Sequence, residues 1–306
     1  MPVPSALLLA AVTVIILALV LFATYPVIFS VFKWLTLPLF AYVITAFFAH
    51  PAVRSALVST VVPSLKLSSG YIMALVAVLG TTISPYLFFW QASSEVDEMK
   101  AAGLTTPAQR RGCSMQELKA ARLDVFTGML FSNVVMYFII LTSAAVLHAH
   151  GVFAIQTSVQ AANALRPFAG QYATLLFALG IIGSGFLAVP ILAGSAAYAT
   201  KEFLHLPGSM AVKARFRPTF YGIIVVAMLA GAGINLLHIN PIRALFITAV
   251  INGVVAPPVL VLIALLAGDR RFMNDKVSGR LSASLTWAAA AIMTVAALAL
   301  IVTLVG

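Results

Sequence analysis

Eight long runs of apolar residues mark the predicted membrane spans of this chain. A helix needs about 20 apolar residues to cross a hydrocarbon core of about 30 Å, so runs of this length predict transmembrane helices. They cover residues 5–24, 27–49, 70–92, 124–147, 171–200, 218–236, 241–267 and 282–305. The polar segment 93–123 is predicted to be a cytoplasmic connector. The pattern therefore predicts an all-α polytopic membrane protein, with about eight transmembrane helices in one domain over 1–306.

Composition supports a membrane protein and changes how its charge is interpreted. The 306 residues are 62% hydrophobic and 8% charged, which excludes an ordinary soluble domain. Lys and Arg number 18 against 8 acidic residues, a net charge of +10. In a soluble protein this excess would suggest nucleic-acid binding. In a membrane protein it is the usual surplus of basic residues in cytoplasmic loops. We expect a lipid bilayer as the environment and no nucleic-acid partner.

The basic residues also predict the orientation. If the spans alternate across the membrane, 14 of the 18 basic residues fall on one side. The other side receives Arg54, Lys66, Arg166 and Arg243. The excess of Lys and Arg in cytoplasmic loops places the larger group in the cytoplasm and both chain ends outside.

The acidic residues all lie in or beside predicted loops. They are Glu95, Asp97, Glu98, Glu117, Asp124, Glu202, Asp269 and Asp275. Because a charge in the hydrocarbon region is costly, a retained one usually marks a transport or relay site. We expect no buried His, Asp or Glu to carry a proton. A dehydrated divalent cation at mid-membrane would find neutral oxygens without a counter-charge.

Catalytic motifs are missing from the sequence. It contains no His-Glu-x-x-His, Gly-x-Ser-x-Gly, phosphate-binding loop or paired Asp-Asp arrangement. Its one cysteine, Cys113, excludes an intrachain disulfide framework and has no assigned role. We therefore predict that the protein is not an enzyme and has no cofactor.

The third span contains the most informative stretch, Gly80-Thr-Thr-Ile-Ser-Pro-Tyr-Leu-Phe-Phe-Trp-Gln91. Pro85 has no N–H and crowds the carbonyl of Thr81, so regular helix is disfavoured. With Gly80 at one end and Pro85 at the other, five residues could then unwind, and freed carbonyls and hydroxyls would face a cavity. The alternative, which is commoner on physical grounds alone, is a kinked span whose hydroxyls bond to their own helix. On helical spacing, Thr81, Ser84 and Gln91 share one face.

This stretch and the following Ala-Ser-Ser-Glu-Val-Asp-Glu98 resemble the sixth span of the NRAMP family of proton-coupled divalent-metal transporters, in particular its divergent bacterial relatives. The similarity continues through Asp124-Val-Phe-Thr-Gly-Met129 and Ser132-Asn133, and on to the C-terminus. It favours the broken span over the kinked one. The resemblance implies part of a LeuT-type transporter fold in the bacterial inner (plasma) membrane, with metal held between the unwound first and sixth spans.

The resemblance also implies site residues. Thr81 falls where the family offers a backbone carbonyl, and Ser84-Pro85-Tyr86 falls where typical members have Met-Pro-His. Thr81 and Ser84 are thus expected partial metal ligands, Gly80 and Pro85 the helix break, and Tyr86 and Gln91 pathway residues. Gln91 stands where many members have a second histidine. Ser84 replaces the soft thioether of methionine with a hard oxygen, so the family's selectivity for iron or manganese does not carry over. Magnesium or another hard divalent ion becomes a candidate substrate.

Truncation is a further expectation from the resemblance. If the third span corresponds to the family's sixth, the chain begins near the family's fourth and lacks its first three spans. The missing first span would carry an Asp-Pro-Gly-Asn-type motif, which would supply the carboxylate. Proton coupling is implied by the family only.

Other polar positions could have either a functional or a structural role. Asn252 is a candidate ligand or gate in the seventh span, with an interhelical hydrogen bond as the alternative. The same hydrogen bond is our preferred prediction for Asn133. Asp124 is expected in the first turn of its helix, where the helix dipole favours a carboxylate. His148 and His150 are too few for a metal site, which needs three or four ligands, and are expected to be incidental.

These observations predict a secondary transporter that moves a divalent metal ion, such as Mg²⁺ or Mn²⁺, by alternating access. One alternative is a transporter of a small organic solute on the same fold, because unwound helix ends also bind carboxylates. The other is an inactive N-terminally truncated fragment or a structural partner subunit.

Overall fold

The computed structural model describes residues 5–22, 34, 37–49, 53–62, 64, 66–210, 212, 214–237 and 239–305. Ten helices of nine residues or more occur in this part of the chain. They are α1 (Ser5–Phe22), α2 (Phe40–Phe48), α3 (Val53–Val61), α4 (Ser69–Thr82), α5 (Pro85–Ala101), α6 (Met115–Val146), α7 (Ala173–Phe203), α8 (Pro218–Leu236), α9 (Pro241–Gly268) and α10 (Arg280–Val305). Part of the predicted span 27–49 lies outside the described residues.

Five helical stretches among the described residues are long and apolar enough to cross a membrane. They are Ser69–Ala101, Met115–His150, Ser158–Phe203, Pro241–Gly268 and Arg280–Leu304. Shorter apolar helices run over Leu7–Phe22 and Pro218–Ile234. On α10, side chains at helical spacing such as Leu285, Ile292, Val295 and Val302 are each 60% exposed or more. Such a stripe of apolar side chains suits contact with lipid rather than water.

The predicted connector 93–123 is helical at both ends. Helix α5 continues to Ala101, and α6 begins at Met115 because Ser114 and Glu117 form a capping box. The Ser114 N–H donates to the Glu117 carboxylate at 2.6 Å, and the Glu117 N–H donates to Ser114 Oγ at 3.1 Å. Asp124 is therefore the tenth residue of α6, and its predicted place in the first turn is wrong.

Two compact units divide the chain. The first comprises 1–63, 89–93 and 126–242. Its largest core cluster joins α1, α7 and α8, where Ile16 packs with Ala197, Tyr198 and Ile224. A second cluster holds Ala41 and Tyr42 of α2 with Leu165 and Ala173. The fully buried Thr142 of α6 donates to the Tyr42 carbonyl at 3.1 Å, which ties α6 to α2.

The turn between α7 and α8 is held by buried side chains of the first unit. Lys201 Nζ donates to the Gly208 carbonyl at 2.8 Å and lies 5.0 Å from the centre of the Tyr198 ring. The Tyr198 hydroxyl accepts from the Met210 N–H at 3.0 Å, and the Tyr221 hydroxyl donates to the Val212 carbonyl at 3.1 Å. We call residues 204–212 the clamped turn.

The second unit comprises 64–88, 94–125 and 243–306. Helix α4 packs on α10, with Ile72 and Val76 against Ala296 and Leu300. Helix α9 also packs on α10, and this cluster contains the buried residues Ala256, Leu260, Ala290 and Met293.

Helices α4 and α9 approach each other through glycine. A Cβ on Gly80 would collide with the carbonyl oxygen of Ala249 and the backbone of Gly253. A Cβ on Gly253 would collide with the carbonyl oxygen of Val76. The two helix backbones therefore touch directly, close to the point where α4 ends.

Candidate functional site

The third predicted span is broken at Ile83 and Ser84. Helix α4 ends at Thr82 and α5 starts at Pro85, while Ile83 (φ −118°, ψ 87°) and Ser84 (φ −97°, ψ 116°) leave helical geometry. Proline disfavours helical geometry in the residue before it, which accounts for Ser84. The Ile83 N–H still donates to the Leu79 carbonyl at 2.9 Å. The break is therefore two residues wide, shorter than the predicted five, and Gly80, Thr81 and Thr82 remain helical.

The Ser84 hydroxyl serves two carbonyls at the end of α4. It donates to the Gly80 carbonyl at 2.9 Å and lies 3.2 Å from the Thr81 carbonyl. In a continuous helix these carbonyls would accept from the N–H groups of residues 84 and 85. Proline has no N–H, and residue 84 is extended. A hydroxyl has one proton, so the two carbonyls share a single donor here.

The two threonine hydroxyls near the break are used within α4. Thr81 Oγ1 and Thr82 Oγ1 each donate to the Val78 carbonyl at 2.8 Å. Both interpretations of this stretch are therefore partly right, because the helix breaks and its hydroxyls bond to their own helix. Ser84 is 3% exposed, whereas Thr81 is exposed.

Three neutral oxygens consequently lie together at the break. They are the carbonyl oxygens of Gly80 and Thr81 and the hydroxyl oxygen of Ser84. Mg²⁺ binds oxygen ligands at about 2.0–2.1 Å, which places adjacent octahedral ligands about 2.9 Å apart. The separations of 2.9 and 3.2 Å from Ser84 Oγ are close to that spacing. The arrangement can offer hard oxygen atoms to a small cation.

The other predicted residues of the span lie on α5. Pro85 is buried at the first position of the helix, Tyr86 is half-buried and Gln91 is exposed. The Leu87 N–H donates to the Ser84 carbonyl at 3.1 Å and closes the first turn. The predicted common face of Thr81, Ser84 and Gln91 is wrong, because the break interrupts the helical spacing.

Comparison with known proteins shows which family this sequence resembles. Residues 1–303 match the Nramp family, described as natural resistance-associated macrophage protein-like. The chain belongs to the Nramp family. This membership and the apolar helices confirm the predicted all-α, LeuT-type fold and the multi-pass location in the bacterial inner membrane.

Curated relatives of this Nramp chain include three divalent metal cation transporters named MntH. That of Erwinia tasmaniensis is 26% identical over 243 residues, which cover 79% of this chain and 53% of the relative. That of Clostridium acetobutylicum is 27% identical over 240 residues, covering 78% and 51%. That of Klebsiella pneumoniae subsp. pneumoniae is 25% identical over 253 residues, covering 83% and 56%. The Nramp chain spans about half the length of these relatives.

Asn252 of the Nramp chain lies inside the continuous helix α9. It is half-buried and directly precedes Gly253, which contacts α4. Pro257 and Pro258 follow within the same helix without ending it. The structure thus brings Asn252 to the helix that crosses α4, and its role as ligand or gate stays a prediction.

The remaining polar candidates have local partners. Asn133 donates to the Met129 carbonyl of its own helix at 2.7 Å, so the predicted interhelical hydrogen bond is wrong. His150 Nδ1 lies 2.8 Å from the Val146 carbonyl, and the His148 ring packs on Phe153 with 4.8 Å between ring centres. Within the described residues, no three His, Cys, Asp or Glu side chains are grouped so that they could hold a metal.

Sequence reasoning missed the burial of Asp97. This carboxylate is 7% exposed on α5, so the prediction that no acid is buried is wrong. A signal was available, because Tyr86, Trp90, Ser93 and Asp97 follow the spacing of one helix face. Asp97 lies twelve residues beyond Pro85, about 18 Å along a helix, too far to bind an ion at the break.

Proposed function

We propose that this Nramp-family protein takes part in moving a divalent metal ion across the bacterial inner membrane by alternating access. The break at Ile83 and Ser84 would form part of the ion path. Two findings support this function: the family match over residues 1–303, and relatives that are named divalent metal cation transporters.

The observation that carries the proposal is the single proton shared by two carbonyls. The Ser84 hydroxyl oxygen has lone pairs in addition to its proton, and each carbonyl oxygen has a second lone pair. A cation could therefore bind among the oxygens of Gly80, Thr81 and Ser84 without breaking a backbone hydrogen bond of α4. These hard, neutral ligands favour Mg²⁺ or Mn²⁺ over softer transition metals.

The proposed site must also balance the charge of the ion and replace part of its water shell. The three oxygens carry no formal charge, and Mg²⁺ gives up its water reluctantly and usually keeps several molecules. The remaining coordination positions would be filled by water or by an anionic ligand from outside the described residues. Proton coupling remains a family expectation, with Asp97 as a buried acid on the same helix as Pro85.

The neighbouring residues are assigned to the path of the ion. Pro85 follows the break directly and Gly80 lies three residues before it, so the two half-helices could change their angle at Ile83 and Ser84. Tyr86 and Gln91 on α5, with Asn252 on α9, would line the pathway. We propose no enzymatic step and no cofactor, since the metal ion is the substrate.

The test is uptake by the chain in proteoliposomes, measured separately for Mg²⁺, Mn²⁺ and a neutral amino acid. Saturable uptake of a divalent ion is expected, and Ser84→Ala should weaken its apparent affinity about tenfold, through the loss of one ligand. Ser284→Ala is the matched control, since Ser284 also donates to the carbonyl four residues back, at 2.8 Å, but is exposed on α10.

Three outcomes would contradict the proposal. Unchanged metal flux and affinity in Ser84→Ala would remove the ligand assignment. Uptake of the amino acid without metal uptake would favour the organic-solute transporter. No uptake of metal or amino acid by correctly folded protein would favour a structural partner subunit.

A further inference from the structure

The turn between α9 and α10 presents an exposed surface of arginine and apolar side chains. Arg270, Arg271 and Arg280 are all exposed. Beside them, Phe272 is 68% and Leu281 75% exposed. Largely exposed Phe and Leu side chains next to three guanidinium groups form an unusual surface for contact with water alone.

Backbone hydrogen bonds give this turn a defined shape. The Ser278 N–H donates to the Ala267 carbonyl at 2.9 Å, which brings the start of α10 back to the end of α9. Between these points, residues 270–273 form one helical turn, and Asp269 caps its start. The cap is a 2.8 Å hydrogen bond from the Arg271 N–H to Asp269 Oδ1. All three arginines therefore lie within four positions of Ala267 or Ser278, the two residues that this hydrogen bond joins.

The acids of the turn do not neutralise these arginines. Asp269 accepts the capping hydrogen bond, and Asp275 pairs with Lys276 Nζ at 2.8 Å. That pairing lowers the pKa of the Asp275 carboxyl and raises the pKa of the Lys276 amine, so both stay charged and matched near neutral pH. In the described part of the chain, no carboxylate forms an ion pair with Arg270, Arg271 or Arg280.

We propose that this turn binds the phosphate groups of anionic phospholipids in the cytoplasmic leaflet. Arginine holds a phosphate through two parallel hydrogen bonds, which a lysine cannot do. The turn joins two helices of membrane-spanning length, so it lies at the level of the lipid headgroups. Its basic character places it on the cytoplasmic side, where anionic lipids attract Lys and Arg.

The apolar side chains select a lipid over a soluble phosphate compound. Phe272 and Leu281 flank the arginines and can enter the boundary between headgroups and acyl chains, as aromatic side chains do at membrane surfaces. A site for a free phosphate ion would gain nothing from them. The proposal does not depend on transport, and it assigns a binding role that orientation by charge alone does not require.

Lipid retention by the detergent-solubilised full chain tests the proposal. Phosphatidylglycerol and phosphatidylcholine with matched acyl chains are titrated, and bound molecules are counted by native mass spectrometry. We expect tighter binding of phosphatidylglycerol, and loss of that preference when Arg270, Arg271 and Arg280 are all changed to Gln. At roughly fivefold per arginine, the triple variant should lose about a hundredfold in affinity.

A second triple variant controls for the charge of the whole protein. Arg111→Gln, Lys119→Gln and Arg122→Gln remove the same charge from exposed positions in and after the 102–114 loop, and the lipid preference should survive. Equal losses in both triple variants, or no loss in either, would overturn the proposal. Displacement of phosphatidylglycerol by millimolar inorganic phosphate would also overturn it, by showing a free-phosphate site. Phe272→Ser should weaken retention severalfold, and an unchanged retention would remove the apolar part of the site.

Discussion

The break at Ile83 and Ser84 and the clamped turn at 204–212 are two places where the chain leaves a helix and must satisfy its backbone. At the break, one hydroxyl serves two carbonyls. In the clamped turn, Lys201, Tyr198 and Tyr221 each bind a backbone group of the turn. An unmet backbone group inside a protein is costly, so the second arrangement is fixed and the first is open to exchange.

The packing around the two regions differs in the same way. Beside the clamped turn, the rings of Tyr198 and Phe220 pack with 5.1 Å between centres, and Trp90 lies 6.0 Å from Tyr198. Next to the break, Gly80 and Gly253 bring two helix backbones into contact. Large side chains hold the clamped turn, whereas close backbone approach defines the break. Ligand exchange is therefore expected at the break and rigidity at the turn.

The largest loss of stability is expected where the backbones of α4 and α9 touch at Gly80 and Gly253. A Cβ at Gly253 meets the carbonyl oxygen of Val76, which belongs to a helix backbone and cannot move aside cheaply. Gly253→Ala should lower the free energy of unfolding by about 3 kcal/mol, as overpacking does in a dense core. Chemical unfolding in detergent measures it. Gly128→Ala, at a position with open space around it, is the control and should change little. Equal effects in both variants would show that the crossing is not tight.

A smaller loss of stability is expected when Lys201, which holds the clamped turn, is replaced. Lys201→Met keeps the apolar stem but leaves the Gly208 carbonyl without its donor, which should cost about 2 kcal/mol of unfolding free energy. Hydrogen exchange should rise over residues 204–212. Lys100→Met, on an exposed part of α5, should be neutral. If exchange at 204–212 stays unchanged in Lys201→Met, the turn is held by other contacts.

Ser84→Ala should lower the free energy of unfolding by about 1 kcal/mol, because a single proton divided between two carbonyls is a weak restraint. This loss is smaller than the one expected for Lys201→Met. Its larger consequence should be on metal affinity, as proposed above. Comparing the two variants by thermal unfolding tests the difference between the regions directly. A greater stability loss in Ser84→Ala would mean that the break is the rigid element.

The smallest effect is expected from Thr81→Val. The Thr81 hydroxyl donates to the Val78 carbonyl, which also accepts from Thr82. Unfolding free energy should change by less than about 0.5 kcal/mol, and metal affinity should stay within twofold, since the proposed Thr81 ligand is its carbonyl. A large drop in metal affinity would move the ligand assignment to the Thr81 hydroxyl.

Local sequence rules predicted much of the fold and the position of the break. Apolar runs marked the long helices, and Pro85 marked the interruption because it lacks an N–H. The start of α6 was missed although its signal was present, since Ser114-Met-Gln-Glu117 is a capping box ahead of the apolar run.

Other features depend on contacts that the sequence does not reveal. The width of the break depends on the Ser84 side chain turning back to Gly80 and Thr81, which is a choice of rotamer. The burial of Asp97 depends on what covers one face of α5. Helical spacing identifies the residues on that face, but not whether it is covered.

Anomalous diffraction from crystals of the protein grown with Mn²⁺ tests the central claim most directly. The account predicts a manganese peak within about 2.5 Å of Ser84 Oγ and of the Gly80 or Thr81 carbonyl oxygen, and its loss in Ser84→Ala. A well-ordered break without manganese, or a manganese peak bound elsewhere and unchanged in Ser84→Ala, would contradict it.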